Sequence, residues 1–211
     1  MTATRIAVVS AGLSDPSSTR LLADRLTGAV VDDLASRGVD SEVSVFELRD
    51  YAHDIVNNML TGFAPKALAA VMESVESAHA LIAVTPIFST SYSGLFKSFV
   101  DVIDREALEG TPVLLGATAG TARHSLAIDY AIRPMFTYLH AEPVSTGVFA
   151  ASDDWGRAAD SVAPLQKRID RGARELADAI AGRGERRTAD PYDLETYLGG
   201  GSSFEALLGG D

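Results

Sequence analysis

Ser10, Ser14, Ser17, Ser18 and Thr19 crowd into one stretch, Ser10-Ala11-Gly12-Leu13-Ser14-Asp15-Pro16-Ser17-Ser18-Thr19-Arg20. Directly after it, Leu22, Leu26, Ala29, Val30 and Leu34 recur every three or four residues, the period of a helix. The hydroxyls therefore gather where a helix start leaves backbone N–H groups unpaired and carries a partial positive charge. Hydroxyls and free N–H groups together bind an anion, and a phosphate fits without a glycine-rich cradle. Each charge-assisted hydrogen bond contributes roughly 1.5–3 kcal/mol. Three or four of them supply much of the roughly 8 kcal/mol of a micromolar ligand. Capping a helix needs a single such residue, and the stretch holds five. Neither G-x-G-x-x-G nor G-x-x-x-x-G-K-[ST] occurs, which argues against a Rossmann dinucleotide site and a P-loop.

Two further stretches have chemistry to offer. Thr85-Pro86-Ile87-Phe88-Ser89-Thr90-Ser91-Tyr92-Ser93-Gly94 follows an apolar run; its proline stops a strand and turns the chain outward, and the polar and aromatic residues after it suit a flat polar ring. Thr118-Ala119-Gly120-Thr121-Ala122 consists of small residues, which let backbone approach a planar ligand closely. His124 follows this stretch and reads as a surface or capping residue, while His53, His79 and His140 are scattered and suggest no metal cluster. Lys97 and Asp101, four apart, read as an ordinary ion pair on a helix face. With no cysteine in the chain, disulfides, thiolate nucleophiles and cysteine-held metals are excluded.

The elements that position these stretches alternate along the chain. Apolar runs at Arg5–Ser10, Glu42–Leu48, Ala80–Thr85, Pro112–Ala117 and Pro143–Phe149 read as strands, and Ala80–Thr85 is apolar on both faces, as in a central parallel strand. Helical periods fill the gaps: Thr19 to Gly38, a helix opened by Pro65, Leu95–Arg105, Ser125–His140 around Pro134, and Asp153–Ala181 with Trp155 packed at its start. Tyr51–Thr61 reads as a loop. This βα alternation predicts an α/β three-layer fold, flavodoxin-like, with a five-stranded parallel sheet of order 2-1-3-4-5. In such a sheet the ligand lies outside the carboxyl ends of strands 1 and 3, where all three stretches meet.

Length and charge set the remaining bounds. The 211 residues suit one domain, expected over 1–182, followed by a polar and Gly-rich tail over 183–211. Within that tail Phe204, Leu207 and Leu208 could dock on a neighbouring subunit as one helical turn. The net charge of −11 argues against nucleic acid and anionic membranes. No apolar run is long enough to span a bilayer, the N-terminus lacks a signal-peptide layout, and the cytoplasm is the expected location.

Pro86-Ile87-Phe88, followed by Ser93-Gly94-Leu95-Phe96-Lys97 and Asp101, resembles the pattern P-[I/V]-[Y/F]…S-G-x-x-K…D of the NADPH-dependent FMN reductase family. The hydroxyl-rich first stretch, the small-residue third stretch and Arg133-Pro134 are similar too, and the likeness runs from about Arg5 to Phe149. It is nearest to the reductase halves of two-component flavin systems of actinobacterial type. The resemblance implies that Ser10, Ser17, Ser18 and Thr19 hold the FMN phosphate. It implies that Pro86, Ile87, Phe88, Ser89 and Tyr92 line the isoalloxazine and ribityl chain, and that Thr118, Ala119, Gly120 and Thr121 pass beside the ring. In some relatives the aromatic at the Tyr92 position sits in a π-bulge at a subunit interface. FMN and NADPH or NADH are the implied cofactors, a homodimer or homotetramer the implied assembly, and a flavin-dependent monooxygenase the implied partner.

Hydride transfer from a nicotinamide to flavin needs no protein acid, base or nucleophile, so no catalytic side chain is expected. Three other readings compete. A flavodoxin-like electron carrier stacks aromatics on both flavin faces, but Ala117–Ser125 has none; a quinone or azo-dye reductase uses the same open face. A phosphoryl-receiver domain needs acids where Ser10 and Thr85 stand. The choice between NADPH and NADH rests on a basic contact to the 2′-phosphate and stays open at this level.

Overall fold

The computed structural model describes residues 3–155 and 165–182. The tail from 183 onward, with its Phe204–Leu208 motif, lies outside the described residues. Parallel strands β1 (Thr4–Ser10), β2 (Ser41–Glu47), β3 (Ala80–Phe88) and β5 (Pro112–Ala119) run in the spatial order β2-β1-β3-β5. A two-residue strand, β4 (Ser91–Tyr92), returns antiparallel along the end of β3. Alternation along β1 sorts the core into two layers. Ile6 and Val8 join α1 (Ser18–Ser36) and α6 (Leu165–Ala181) on one face. Ala7 and Val9 face α2 (Ala52–Thr61), α3 (Lys66–Glu76), α4 (Gly94–Val102) and α5 (Arg133–Tyr138) on the other. Phe96, Phe99 and Phe136 are the largest fully buried side chains of that second layer.

The expected order holds for the parallel positions, but the fifth is built from two pieces. β6 (Glu142–Pro143) and β7 (Val148–Ala151) both lie parallel to β5, giving seven strands in all. Just before β7, Gly147 packs closely on Ile128, where a Cβ would stand 2.5 Å from Ile128 Cγ2. Arg133 fills the gap and donates to the Val144 and Ser145 carbonyls at 2.7 and 3.0 Å.

Three helical readings also change. Tyr51–Thr61 is not a loop: α2 occupies it and ends at Gly62, whose φ of 75° provides the left-handed cap. The Ser125–His140 helix divides into a π-helical turn, Ile128–Ile132, and α5. Pro134 has no N–H to return to an α-helical acceptor, and the Arg133 N–H instead donates five residues back to the Ile128 carbonyl. The aromatic on this turn is Tyr130, 80% exposed, whereas Tyr92 lies on β4. Among the described residues the last helix covers Leu165–Ala181, and Trp155 ends a separate single turn, Ser152–Trp155.

Candidate functional site

The carboxyl ends of β1, β3, β5 and β7 open into one cleft of about 430 Å³, within the range of small-molecule sites. Register brings them level: Ser10 pairs with Val84, Pro86 with Thr118, and Thr118 with Ala150.

The first wall is the β1–α1 loop, through Leu13, Ser14, Ser18 and Thr19. Its hydroxyls divide the work. Ser17 Oγ accepts the Arg20 N–H at 3.2 Å and is the N-cap of α1. The Thr19 and Thr118 hydroxyls, both buried, share a hydrogen bond of 2.8 Å that ties this loop to the end of β5. Ser18 is exposed and faces the cleft. Ser10 does not line the cleft; it alternates onto the α1 side of the sheet, and its fully buried Oγ has no partner in the structure. Gly12 leaves the space that the Ser17 hydroxyl occupies, since a Cβ there would fall 2.0 Å from Ser17 Oγ.

Nearby arginines do not supply the positive charge. Arg20 binds Asp24 and Glu47, each at 2.8 Å, and the hydrogen bond to Asp24 holds its pKa above the usual guanidinium value. Arg49 donates to the Ser14 carbonyl at 2.8 Å and sits 3.2 Å from Glu47, bracing the loop from behind. An anion here would meet hydroxyls and the open N-terminus of α1 rather than a free cation.

Pro86, Ile87 and Phe88 form the second wall, and Phe88 is 49% exposed. The chain then reverses through Ser89 and Thr90, whose φ angles are 48° and 71°, a left-handed pair unusual for residues that bear a Cβ. The reversal is clamped from below, where Thr85 Oγ1 accepts the Ser93 N–H at 3.1 Å and Ser93 Oγ caps α4. Because β4 pairs Tyr92 with Ile87, the Tyr92 ring packs on Phe96, 6.4 Å between centroids, away from the cleft. Ser89 is likewise outside the lining.

Thr118, Ala119 and Gly120 make the third wall, while Thr121 turns aside and accepts the Arg123 N–H at 3.4 Å. A Cβ at Gly120 would meet nothing within 4 Å, so that side of the cleft is open.

A fourth wall, Ser152 and Trp155, joins them, which the sequence reading did not anticipate, nor Leu13, whereas Ser14 belongs to the hydroxyl cluster it singled out. Trp155 is steadied by Arg25, whose guanidinium lies 5.2 Å from the ring centroid. Asp154 holds the same turn by accepting from Arg168 and from the Ala151 N–H. The one available signal was a lone tryptophan directly after a strand. The Lys97–Asp101 ion pair forms as expected on the α4 surface, with nitrogen and oxygen 2.5 Å apart.

Comparison with known proteins follows the same outline. Residues 4–156 match the family described as NADPH-dependent FMN reductase. An FMN reductase (NADPH) of Pseudomonas aeruginosa is 37% identical over 182 residues, 86% of this chain and 95% of the relative. The NADH-dependent FMN reductase SfnE of Pseudomonas putida is 34% identical over 164 residues, 78% of this chain and 86% of the relative. The solved structure of an oxidoreductase from Corynebacterium diphtheriae superposes with a TM-score of 0.83 at 42% identity, covering 87% of this chain and all of that one.

Proposed function

Because this chain belongs to the NADPH-dependent FMN reductase family, we propose that it carries a hydride from NADPH or NADH to FMN and supplies reduced flavin to a partner monooxygenase. The observation that carries this reading is the single cleft in which a hydroxyl-lined helix start faces two loops suited to a flat ring.

The residues fit FMN on two independent counts. The exposed Ser18 hydroxyl lines the cleft at the open N-terminus of α1, and Gly120 leaves the third wall clear for a flat ring, a Cβ there meeting nothing within 4 Å. The Ser18 hydroxyl and the first N–H groups of α1 would hold the phosphate, with Ser17 and the Thr19–Thr118 bond fixing the loop. Pro86 to Phe88 and Thr118 to Gly120 would border the ring. When bound, FMN supplies the hydride-accepting ring; the chemistry is the cofactor's. The chain's contribution is to orient that ring and leave one side accessible to a nicotinamide, which converts an encounter into a positioned reaction. No side chain needs to give or take a proton.

The same reading takes residues 1–182 as the reductase unit and a homodimer or homotetramer as its working form. Val56, Met59, Leu60 and Phe63 are exposed on and beside α2 and provide apolar surface for association. Among the described residues no helix is long and apolar enough to cross a membrane.

Following NADPH and NADH oxidation with free FMN tests the activity, and a carrier without turnover would leave both donors unconsumed. Ser18→Ala tests the site, because Ser18 is exposed in the cleft whereas the Thr19 hydroxyl is committed to Thr118. FMN binding should weaken at least tenfold while riboflavin, which lacks the phosphate, binds almost as before; equal losses would reject the phosphate assignment.

A further inference from the structure

The relatives' names divide between NADPH and NADH, so the side chains around the cleft must set the donor. Building on the flavin-reductase reading, we propose that Arg123 binds the 2′-phosphate of NADPH and makes NADPH the preferred donor. Arg123 stands on a single helical turn, Ala122–His124, two residues beyond Thr121 and three beyond the cleft-lining Gly120. Thr121 Oγ1 accepts its backbone N–H, which fixes the turn to the end of the third wall. Its side chain is exposed.

What separates Arg123 from its neighbours is the absence of a competing partner. Arg20, Arg37, Arg49, Arg133, Arg168 and Arg171 all pair with carboxylates. Arg25 and Arg105 lie over the rings of Trp155 and Tyr138, and Arg5 donates to the Ser77 carbonyl. Among the described residues only Arg123 and Arg174 have no such contact, and Arg174 sits within α6 rather than beside the cleft. The chain carries a net charge of −11, which disfavours a ligand bearing an extra phosphate unless a cation meets it. A guanidinium suits that task because its planar fork grips a phosphate through two parallel hydrogen bonds. NADH has only a hydroxyl at the same position, so the contact discriminates between the donors without affecting the hydride they share.

The test uses the full chain loaded with FMN. Steady-state oxidation of NADPH and NADH is measured for the wild type, Arg123→Ala and Arg123→Lys. In parallel, calorimetry measures binding of adenosine 2′,5′-bisphosphate and adenosine 5′-monophosphate to the oxidised protein. We expect the wild type to favour NADPH. Arg123→Ala should lower kcat/KM for NADPH about 10- to 100-fold, the loss of one or two charge-assisted hydrogen bonds, and leave NADH within about twofold. Arg123→Lys should recover part of the loss. The bisphosphate should bind more tightly than the monophosphate in the wild type, and Arg123→Ala should erase the difference. A wild type that favours NADH, or a donor ratio and bisphosphate preference unmoved by Arg123→Ala, would overturn the assignment of Arg123 alone. Failure of the wild type to oxidise either donor would overturn the flavin-reductase reading, and this inference with it.

Discussion

Replacing Gly12 with alanine examines the loop on which the phosphate assignment rests. The added Cβ would stand 2.0 Å from Ser17 Oγ and 3.1 Å from both Ser17 Cβ and Thr19 Cβ. The carbon contacts require only a few tenths of an ångström of adjustment. The hydroxyl contact cannot persist, and the least costly relief is rotation of Ser17 about χ1. That rotation gives up the bond to the Arg20 N–H, an N-cap whose loss destabilises by about 1 kcal/mol. In a domain of this size the midpoint of thermal unfolding falls by roughly 2–4 °C per kcal/mol. The relocated hydroxyl also intrudes where phosphate would sit, so FMN affinity should fall at least tenfold, about 1.4 kcal/mol. Scanning calorimetry gives the stability. Trp155, the only tryptophan in the chain and part of the cleft lining, reports FMN binding by quenching of its fluorescence. The decisive comparison is Ser17→Ala alone and combined with Gly12→Ala. Without the Ser17 oxygen the 2.0 Å clash vanishes, so the double variant should be about as stable as Ser17→Ala and the two changes should not add. Additive losses, or a Gly12→Ala protein with wild-type stability and FMN affinity, would refute this account of the loop.

Three further outcomes follow from contacts elsewhere. Thr118→Val should destabilise by about 1–3 kcal/mol, because it strands the buried Thr19 hydroxyl. Thr19→Val with Thr118→Val should recover most of that in a denaturation series, since no polar group is then left unpaired. Gly120→Val should leave stability within about 0.5 kcal/mol, its Cβ meeting nothing within 4 Å, yet weaken FMN in the same fluorescence titration. Glu175 gives a pH signature. Burial pushes its carboxyl up, but hydrogen bonds from the Thr146 hydroxyl and N–H and from Arg171 prevail, and its pKa is held below the ordinary value. Its stabilisation is therefore fully present above the unfolded pKa of about 4.3 and disappears as pH falls through the lower folded value. Glu175→Gln should lower stability at neutral pH and flatten the acid limb of the stability curve; an acid limb as steep as the wild type's would contradict this.

The central sheet is legible in sequence because β1, β3 and β5 are covered on both faces and read as unbroken apolar runs. The switch-point rule then leads to Ser18, Thr19, Pro86 to Phe88 and Thr118 to Gly120, all of which line the cleft. What escapes sequence depends on distant partners. α2 hides because it buries only Ile55 and Asn58 while Val56, Met59 and Leu60 face outward, blurring the apolar stripe. Tyr92 misleads because its direction is set by pairing with Ile87 in a two-residue return that no periodicity announces. Trp155 and Ser152 reach the cleft only because Ala150 and Ala151 lie beside Thr118 and Ala119, a register set between residues some thirty positions apart. Pro134 is visible in the sequence, but no periodicity announces that the turn before it widens to a five-residue return.

The divided strand at the sheet margin has a consequence for how this molecule tolerates crowding. An outermost strand with idle amides and carbonyls templates the addition of foreign chains. Here the carbonyls of Val144 and Ser145 are occupied by Arg133 and the Thr146 amide by Glu175, while the Val144 amide is already paired with Val113. The kink thus closes positions 144–146 of that border to an incoming strand. The net charge of −11 acts in the same direction, because like-charged copies repel one another before their borders can meet.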